Sequence, residues 1–229
     1  MSLQKMEFLY GDRVLQLQVL DILKSPVDVI VNPANGALAH GGGLALKIQN
    51  AAGVELAQQS KQLIEEYGVL ESGMAVYTSA GNLSFKAVIH AVGPRQGEGD
   101  EQAKLEKVFL RSLLLCETND WSSIAFPAIS TGIFGVPVEI CATAAFKAIT
   151  HFWDARSECV VEKIIICLTR NNFDKFFNAF REESFDGKES AEVKPALTAV
   201  DSDEEKIGYI EIDEDSLKDT DDEISDWFK

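Results

Sequence analysis

Val27-Asp28-Val29-Ile30-Val31-Asn32-Pro33-Ala34-Asn35-Gly36-Ala37-Leu38-Ala39-His40-Gly41-Gly42-Gly43 runs from a β-branched apolar stretch into three consecutive glycines, and the pattern beyond turns helical. A continuous apolar run of this kind predicts a strand covered on both faces, hence a parallel or mixed sheet with helices packed on it. After Gly43, Leu44, Ile48, Ala51 and Ala52 recur at helical spacing, then Val54, Leu56, Leu63 and Ile64, with Gly53 as a break. Working outward, residues 6–10 and 14–20 are short apolar or alternating runs separated by Gly11-Asp12, which predicts a hairpin. The strand before the glycines is expected over 27–31. Further strands are expected at 74–78, 87–92, 124–127 and 163–168, and helices at 101–117, 138–152 and 172–180. Strands alternating with helices mean an α/β layer fold, whose ligands collect outside the carboxyl ends of the strands.

Two loops of that kind stand out. In the first, residues 32–43, the glycines let the backbone approach a ligand and turn its amides outward, and the helix start behind them adds the positive end of its dipole. An anion belongs there. The spacing is neither G-x-G-x-x-G nor G-x-x-x-x-G-K-[ST], which excludes the dinucleotide fingerprint and the Walker loop. The second, Pro127-Ala128-Ile129-Ser130-Thr131-Gly132-Ile133-Phe134-Gly135-Val136-Pro137, also runs strand to helix, with Pro137 set for a helix start. Either loop alone is explained by the need of tight turns for glycine; together they can clamp the two phosphates of a pyrophosphate.

The chain has 229 residues, 46% hydrophobic and 25% charged, with a formal charge of −16. From Asp186 onward it carries 16 acidic and 5 basic side chains, −11 of that total, leaving −5 for residues 1–185. This divides a main domain (1–185) from an acidic tail (186–229), either flexible or a short extension docked on the domain edge, since residues 207–212 alternate like a strand and Ile224, Trp227 and Phe228 could dock. Without a Lys/Arg cluster, duplex DNA is not an expected partner, whereas the tail could meet a basic one. No apolar run reaches the roughly 20 residues that span a bilayer, and no cleavable signal opens the chain, so an intracellular protein, cytoplasmic or nuclear and without membrane contact, is expected. Cys116, Cys141, Cys159 and Cys167 form no C-x-x-C pair and read as buried reduced thiols; three scattered histidines make no metal centre, so neither metal nor cofactor is expected.

Residues 27–35, His40-Gly41-Gly42-Gly43, Ala51-Ala52-Gly53, Val88-Ile89-His90-Ala91-Val92-Gly93-Pro94 and 127–135 together resemble the macro domain family in order and spacing, over roughly residues 5–181. The likeness is to the macro domains of poly(ADP-ribose) polymerase relatives and of viruses. It implies a three-layer α/β/α sandwich with a mixed, mainly parallel central sheet that binds ADP-ribose. By the same resemblance Asp21 would accept the adenine amine, favouring adenine over guanine, with Ile22 beside it. Asn35 would hold the distal ribose. Gly41, Gly42 and Gly43 would form the ribose and phosphate loop, and Ser130, Thr131, Gly132, Ile133 and Phe134 the second phosphate loop, with Phe134 against the distal ribose. Leu168 stands where many members stack an aromatic on adenine. Taken on their own, Asp21 reads as a helix cap or solvated charge, Asn35 as a turn residue tolerating a left-handed backbone, Phe134 as a core aromatic, His90 as a core histidine and His151 as a helix-end residue.

The hydrolase branch of the family carries an Asp after its glycines to position water; here Ala45 stands in that place. The functional expectation is therefore an ADP-ribose-binding module for ADP-ribosylated proteins, free ADP-ribose or related metabolites. One alternative is a glycohydrolase releasing mono-ADP-ribose from acidic side chains, with water aligned by the pyrophosphate and Asn35, and His40 as a candidate for proton transfer. A second is an interaction scaffold that uses the acidic tail and no ligand.

Overall fold

In the computed structural model, which describes residues 5–156, 158–184, 194–195 and 207–211, a hairpin of β1 (Lys5–Tyr10) and β2 (Arg13–Val19) leads through a single 3-10 turn (Ile22–Lys24) into β3 (Val29–Ala34). There follow α1 (Gly43–Ala52), α2 (Val54–Tyr67), β4 (Ala75–Thr78), β5 (Ala87–Val92), α3 (Glu101–Thr118), β6 (Ser123–Pro127), α4 (Val138–Asp154), β7 (Lys163–Leu168) and α5 (Arg170–Ser184). Two short strands, β8 (Lys194–Pro195) and β9 (Ile207–Glu211), complete the described chain.

The strands form one sheet in the order β4-β5-β3-β6-β7-β2-β1-β9-β8. The pairs β3–β5, β3–β6, β6–β7, β2–β7 and β1–β9 are parallel, while β1–β2, β4–β5 and β8–β9 are antiparallel. Alternate strand residues feed two cores. Val29, Val31, Ile124, Phe126, Ile164 and Ile166 pack with α3, α4 and α5 on one face, and Ile30, Ala125, Ile165 and Val88 pack with Ile48, Ala52 and Leu56 of α1 and α2 on the other. The period-2 side-chain alternation of a doubly covered sheet produces the expected three-layer α/β/α sandwich.

The chain goes from β3 outward to β4 and β5, then returns past β3 to β6 and β7, so the connection reverses between β3 and β6. That pair is also short: β3 meets β6 only at Val29↔Ile124 and Ile30↔Ala125, whereas β6 pairs with β7 over Ser123–Pro127. The carboxyl ends of β3 and β6 diverge, and a crevice opens at this switch point.

The first strand of this pair starts later than the expected 27–31. The Asp28 carboxylate accepts from the Ser122 N–H at 2.8 Å and meets Lys86 Nζ at 2.9 Å, holding the chain just ahead of it. The strand then runs on through Asn32, Pro33 and Ala34, which pair with His90, Ala91 and Val92. The missing N–H of Pro33 fits a half-strand that β6 has left. The last helix begins at Arg170, before the expected residue 172, because its buried stripe of Phe173, Phe176, Ala179 and Phe180 carries no sign of the polar first turn. Of the acidic segment, residues 207–211 lie parallel to β1, Lys5 facing Ile207; residues 186–193, 196–206 and 212–229, with Ile224, Trp227 and Phe228, lie outside the described residues. No helix among the described residues is long and apolar enough to cross a membrane.

Candidate functional site

A cleft of about 820 Å3 runs across the carboxyl ends of β2, β7, β6, β3 and β5, above the divergence of β3 and β6. Asp21, Ile22, Asn35, Gly41, Gly42, Gly43, Ser130, Thr131, Gly132, Ile133, Phe134 and Leu168 all line it, together with Ala45. The sheet brings these residues together from four separate stretches of chain.

The loop after β3 is organised by Asn35. Its Oδ1 accepts from the Ala37 and Ala39 N–H groups, both at 3.1 Å, and its Nδ2 donates to the Ala39 carbonyl at 2.7 Å. The left-handed residue of this turn is the buried Leu38, at φ 48, and not Asn35. The loop delivers Gly42, extended at φ −171, as the cap of α1 with no side-chain hydrogen bond, so the first amides of the helix face the cleft without a capping side chain.

The loop after β6 is folded by its own bonds: Thr131 Oγ1 donates to the Ala128 carbonyl at 2.9 Å, and the Val136 N–H to the Ser130 carbonyl at 3.0 Å. Ser130 takes a left-handed φ of 64, and its Oγ is buried without a hydrogen-bond partner among the described residues. A Cβ on Gly93 would collide with that Oγ, so the end of β5 can lie under the loop only as glycine. Ile133, 78% exposed, reaches back towards the first loop: its Cδ1 is 3.6 Å from the place a Cβ would take on Gly42 or Gly43.

Charge is sparse in the cleft. Asp21 caps the 3-10 turn through Leu23 N–H to Oδ1 at 3.2 Å, and its Oδ2 meets Lys47 Nζ at 2.8 Å. Lys47 chiefly, with the Leu23 amide, holds the carboxyl below the usual carboxylate range against a smaller opposing effect of burial. Arg95, which follows β5, places its guanidinium 4.3 Å from the Phe134 ring centroid. Burial first, and Asp21 second, pushes the Cys167 thiol up to about 12, which leaves it an apolar wall.

His40 departs from expectation. Its residue is 5% exposed and does not line the cleft; the ring turns inward, stacked on His90 at 5.0 Å between centroids. Asn32 Nδ2 donates to Nδ1 of both histidines, at 3.1 Å and 3.0 Å. This assigns both the Nε2–H tautomer, with His40 facing Ser60 Oγ and His90 facing Thr78 Oγ1. Burial lowers the pKa of His40, which favours the neutral ring, and that ring is turned away from the cleft.

Sequence reasoning passed over Lys47, Arg95, Thr169 and Asn172, which also line the cleft. Arg95 was findable, because it directly follows a strand, where ligands are met in this fold class. Lys47 carried no signal, for nothing local ties it to a carboxylate on the other side of the sheet end.

The family model of the macro domain matches residues 31–145. The chain belongs to the macro domain family. An O-acetyl-ADP-ribose deacetylase of Escherichia fergusonii is 46% identical over 134 residues, covering 58% of this chain and 76% of that protein. An uncharacterized protein of Saccharolobus solfataricus is 41% identical over 162 residues, 70% and 88% of the two chains. Among solved structures, the Oceanobacillus iheyensis macrodomain with ADP superposes at a TM-score of 0.73 with 30% identity, covering 78% of this chain and 96% of that one. A glycine-to-valine mutant of the same protein with ADPR gives 0.73, 30%, 78% and 98%. These relatives are bacterial and archaeal, where the sequence points to polymerase-associated and viral members; what they share with this chain is the macro domain itself.

Proposed function

We propose that the cleft binds ADP-ribose, free or attached to protein. The observation that carries this reading is the pairing of two amide-rich loops, at 41–43 and 130–134, across the divergence of β3 and β6, with the helix α1 start behind one of them. Such a pair matches the two phosphates of a diphosphate. The order of the strands then orders the ligand. On the β2–β7 side, buried Ile22 and Leu168 form an apolar floor beside Asp21 and Lys47, which suits a purine. On the β3–β5 side, Asn35, Arg95 and Phe134 suit a polyol ring. The relative solved with ADPR supports the same ligand. Four cysteines without a disulfide fit an intracellular setting.

The experiment is a calorimetric titration with ADP-ribose backed by thermal melting. A ligand that binds only the native state adds about 2.7 kcal/mol at a hundredfold excess over its dissociation constant. For a domain of this size that raises the melting temperature by roughly 5–10 °C. No heat and no shift at millimolar ADP-ribose would refute the reading.

The similarity to O-acetyl-ADP-ribose deacetylases favours a second reading, hydrolysis of an ester on the distal ribose. Among the described residues, however, the cleft wall holds Ala45 where a water-positioning carboxylate would serve, and its carboxylate Asp21 is paired with Lys47 at the far end. Binding without turnover is thus the primary reading. Single-turnover assays on O-acetyl-ADP-ribose and on a glutamate-ADP-ribosylated protein decide it. Efficient release that is lost in Asn35→Ala, while ADP-ribose still binds, would make the protein a hydrolase.

A further inference from the structure

Lys47 lines the cleft at the end floored by Ile22 and Leu168, with its ammonium 2.8 Å from the Asp21 carboxylate. We propose that Lys47 and Asp21 form a donor–acceptor pair that lets the cleft accept 6-oxopurine as well as 6-aminopurine diphosphate riboses. This rests on the cleft binding a nucleoside diphosphate ribose.

A carboxylate alone only accepts hydrogen bonds. It accepts from the exocyclic amine of adenine and repels the lone pairs of a 6-carbonyl placed at the same position. Here Lys47 Nζ lies 2.8 Å from Asp21 Oδ2. An ammonium has three N–H donors and spends one on the carboxylate, so the pair presents a donor and an acceptor side by side. Adenine offers an N6–H donor next to the N1 acceptor; guanine and hypoxanthine offer the O6 acceptor next to an N1–H donor. Each of these edges finds both partners, the two alignments differing only in which atom meets Lys47. Asp21 is fixed from the other side, Oδ1 holding the Leu23 N–H, while Lys47 is free to adjust, its side chain 53% exposed. An exposed pair of this kind costs little to reorient. The apolar neighbours Leu20, Ile22 and Leu168 recognise a flat ring without regard to its 6-substituent.

The test is calorimetric titration of ADP-ribose, GDP-ribose and IDP-ribose into the parent protein, Lys47→Met and Lys47→Arg. In the parent, the three dissociation constants should agree within about fivefold. Lys47→Met should weaken GDP-ribose and IDP-ribose at least about tenfold more than ADP-ribose, since adenine loses only the bond to N1 whereas a 6-carbonyl is left facing the bare carboxylate, while Lys47→Arg keeps the parent ratios. Equal weakening of all three in Lys47→Met would mean that Lys47 serves the phosphates and would overturn the proposal. So would a parent that binds ADP-ribose about tenfold or more tightly than GDP-ribose, or ratios unchanged in Lys47→Met. Failure of the parent to bind ADP-ribose at all would remove the cleft assignment, and the base pair of residues with it.

Discussion

Gly42 and Gly132 are two of the glycines of the cleft at which a side chain would fit the fold, Gly41 being another. Gly42 is extended, at φ −171, and its added Cβ would come no closer than 3.6 Å to Ile133; at Gly132 nothing lies within 4 Å. Gly36 and Gly93 are different, since a Cβ would strike the Leu70 carbonyl in one case and Ser130 in the other. Substitution at the first two therefore separates binding from folding. Gly42→Val sets a branched side chain over the amides, and Gly132→Glu adds a negative charge where phosphates would sit. Each should weaken ADP-ribose by roughly a hundredfold or more while the melting temperature stays within about 2 °C of the parent, since surface substitutions cost within about 0.5 kcal/mol. Calorimetry and differential scanning of the same samples check both halves.

The two loops work as elements because one side chain joins them. Ile133 is 78% exposed yet extends over the glycine run, so its apolar surface is spent on spanning the cleft and not on the core. A bound diphosphate beneath it would have to leave past this side chain. Ile133→Ala should leave thermal stability unchanged, as nothing buried is lost, and raise the ADP-ribose dissociation rate by about three- to tenfold with little change in association. Stopped-flow displacement measures it; an unchanged off-rate would show that the loops do not close on the ligand.

At the scale of the molecule, the buried Asn32–His40–His90 network ties the first loop to α2 through Ser60 and to β4 through Thr78. Burial, and then the neighbouring His40, drives the pKa of His90 down to about 3. In the unfolded chain a histidine takes up a proton as the pH falls below about 6.5, while the native ring stays neutral. The unfolded state then binds more protons, so this stability is fully present above about 6.5 and is lost as the pH falls towards 3, at roughly 1.4 kcal/mol per pH unit for His90. Carboxylates held low by their partners, such as Asp21 and Asp28, lose their contribution only in more acid solution. Urea unfolding between pH 5 and 6.5 isolates the histidines, and His90→Gln should cut the slope there by about one proton. An equal slope in the variant would contradict the neutral buried ring.

Apolar runs, their switch from period 2 to period 3.6 and the glycine clusters after strands are properties of contiguous chain. From them the α/β class, the position of the cleft at the strand ends and the two loops were readable, because backbone conformation there answers to the residues that compose it. Where side chains turn, and whom they meet, depends on elements far apart in sequence. His40 stands directly before Gly41 in the motif, yet Ser60 and His90 draw its ring inward. Asn35 spends its amide on its own loop, an economy that shows only once the turn is closed. Lys47 reaches Asp21, and Arg95 covers Phe134, only because the sheet order sets the ends of β2, β3, β5 and β6 along one cleft. Such pairings form across loops that the tertiary fold closes, and no local pattern encodes the partner.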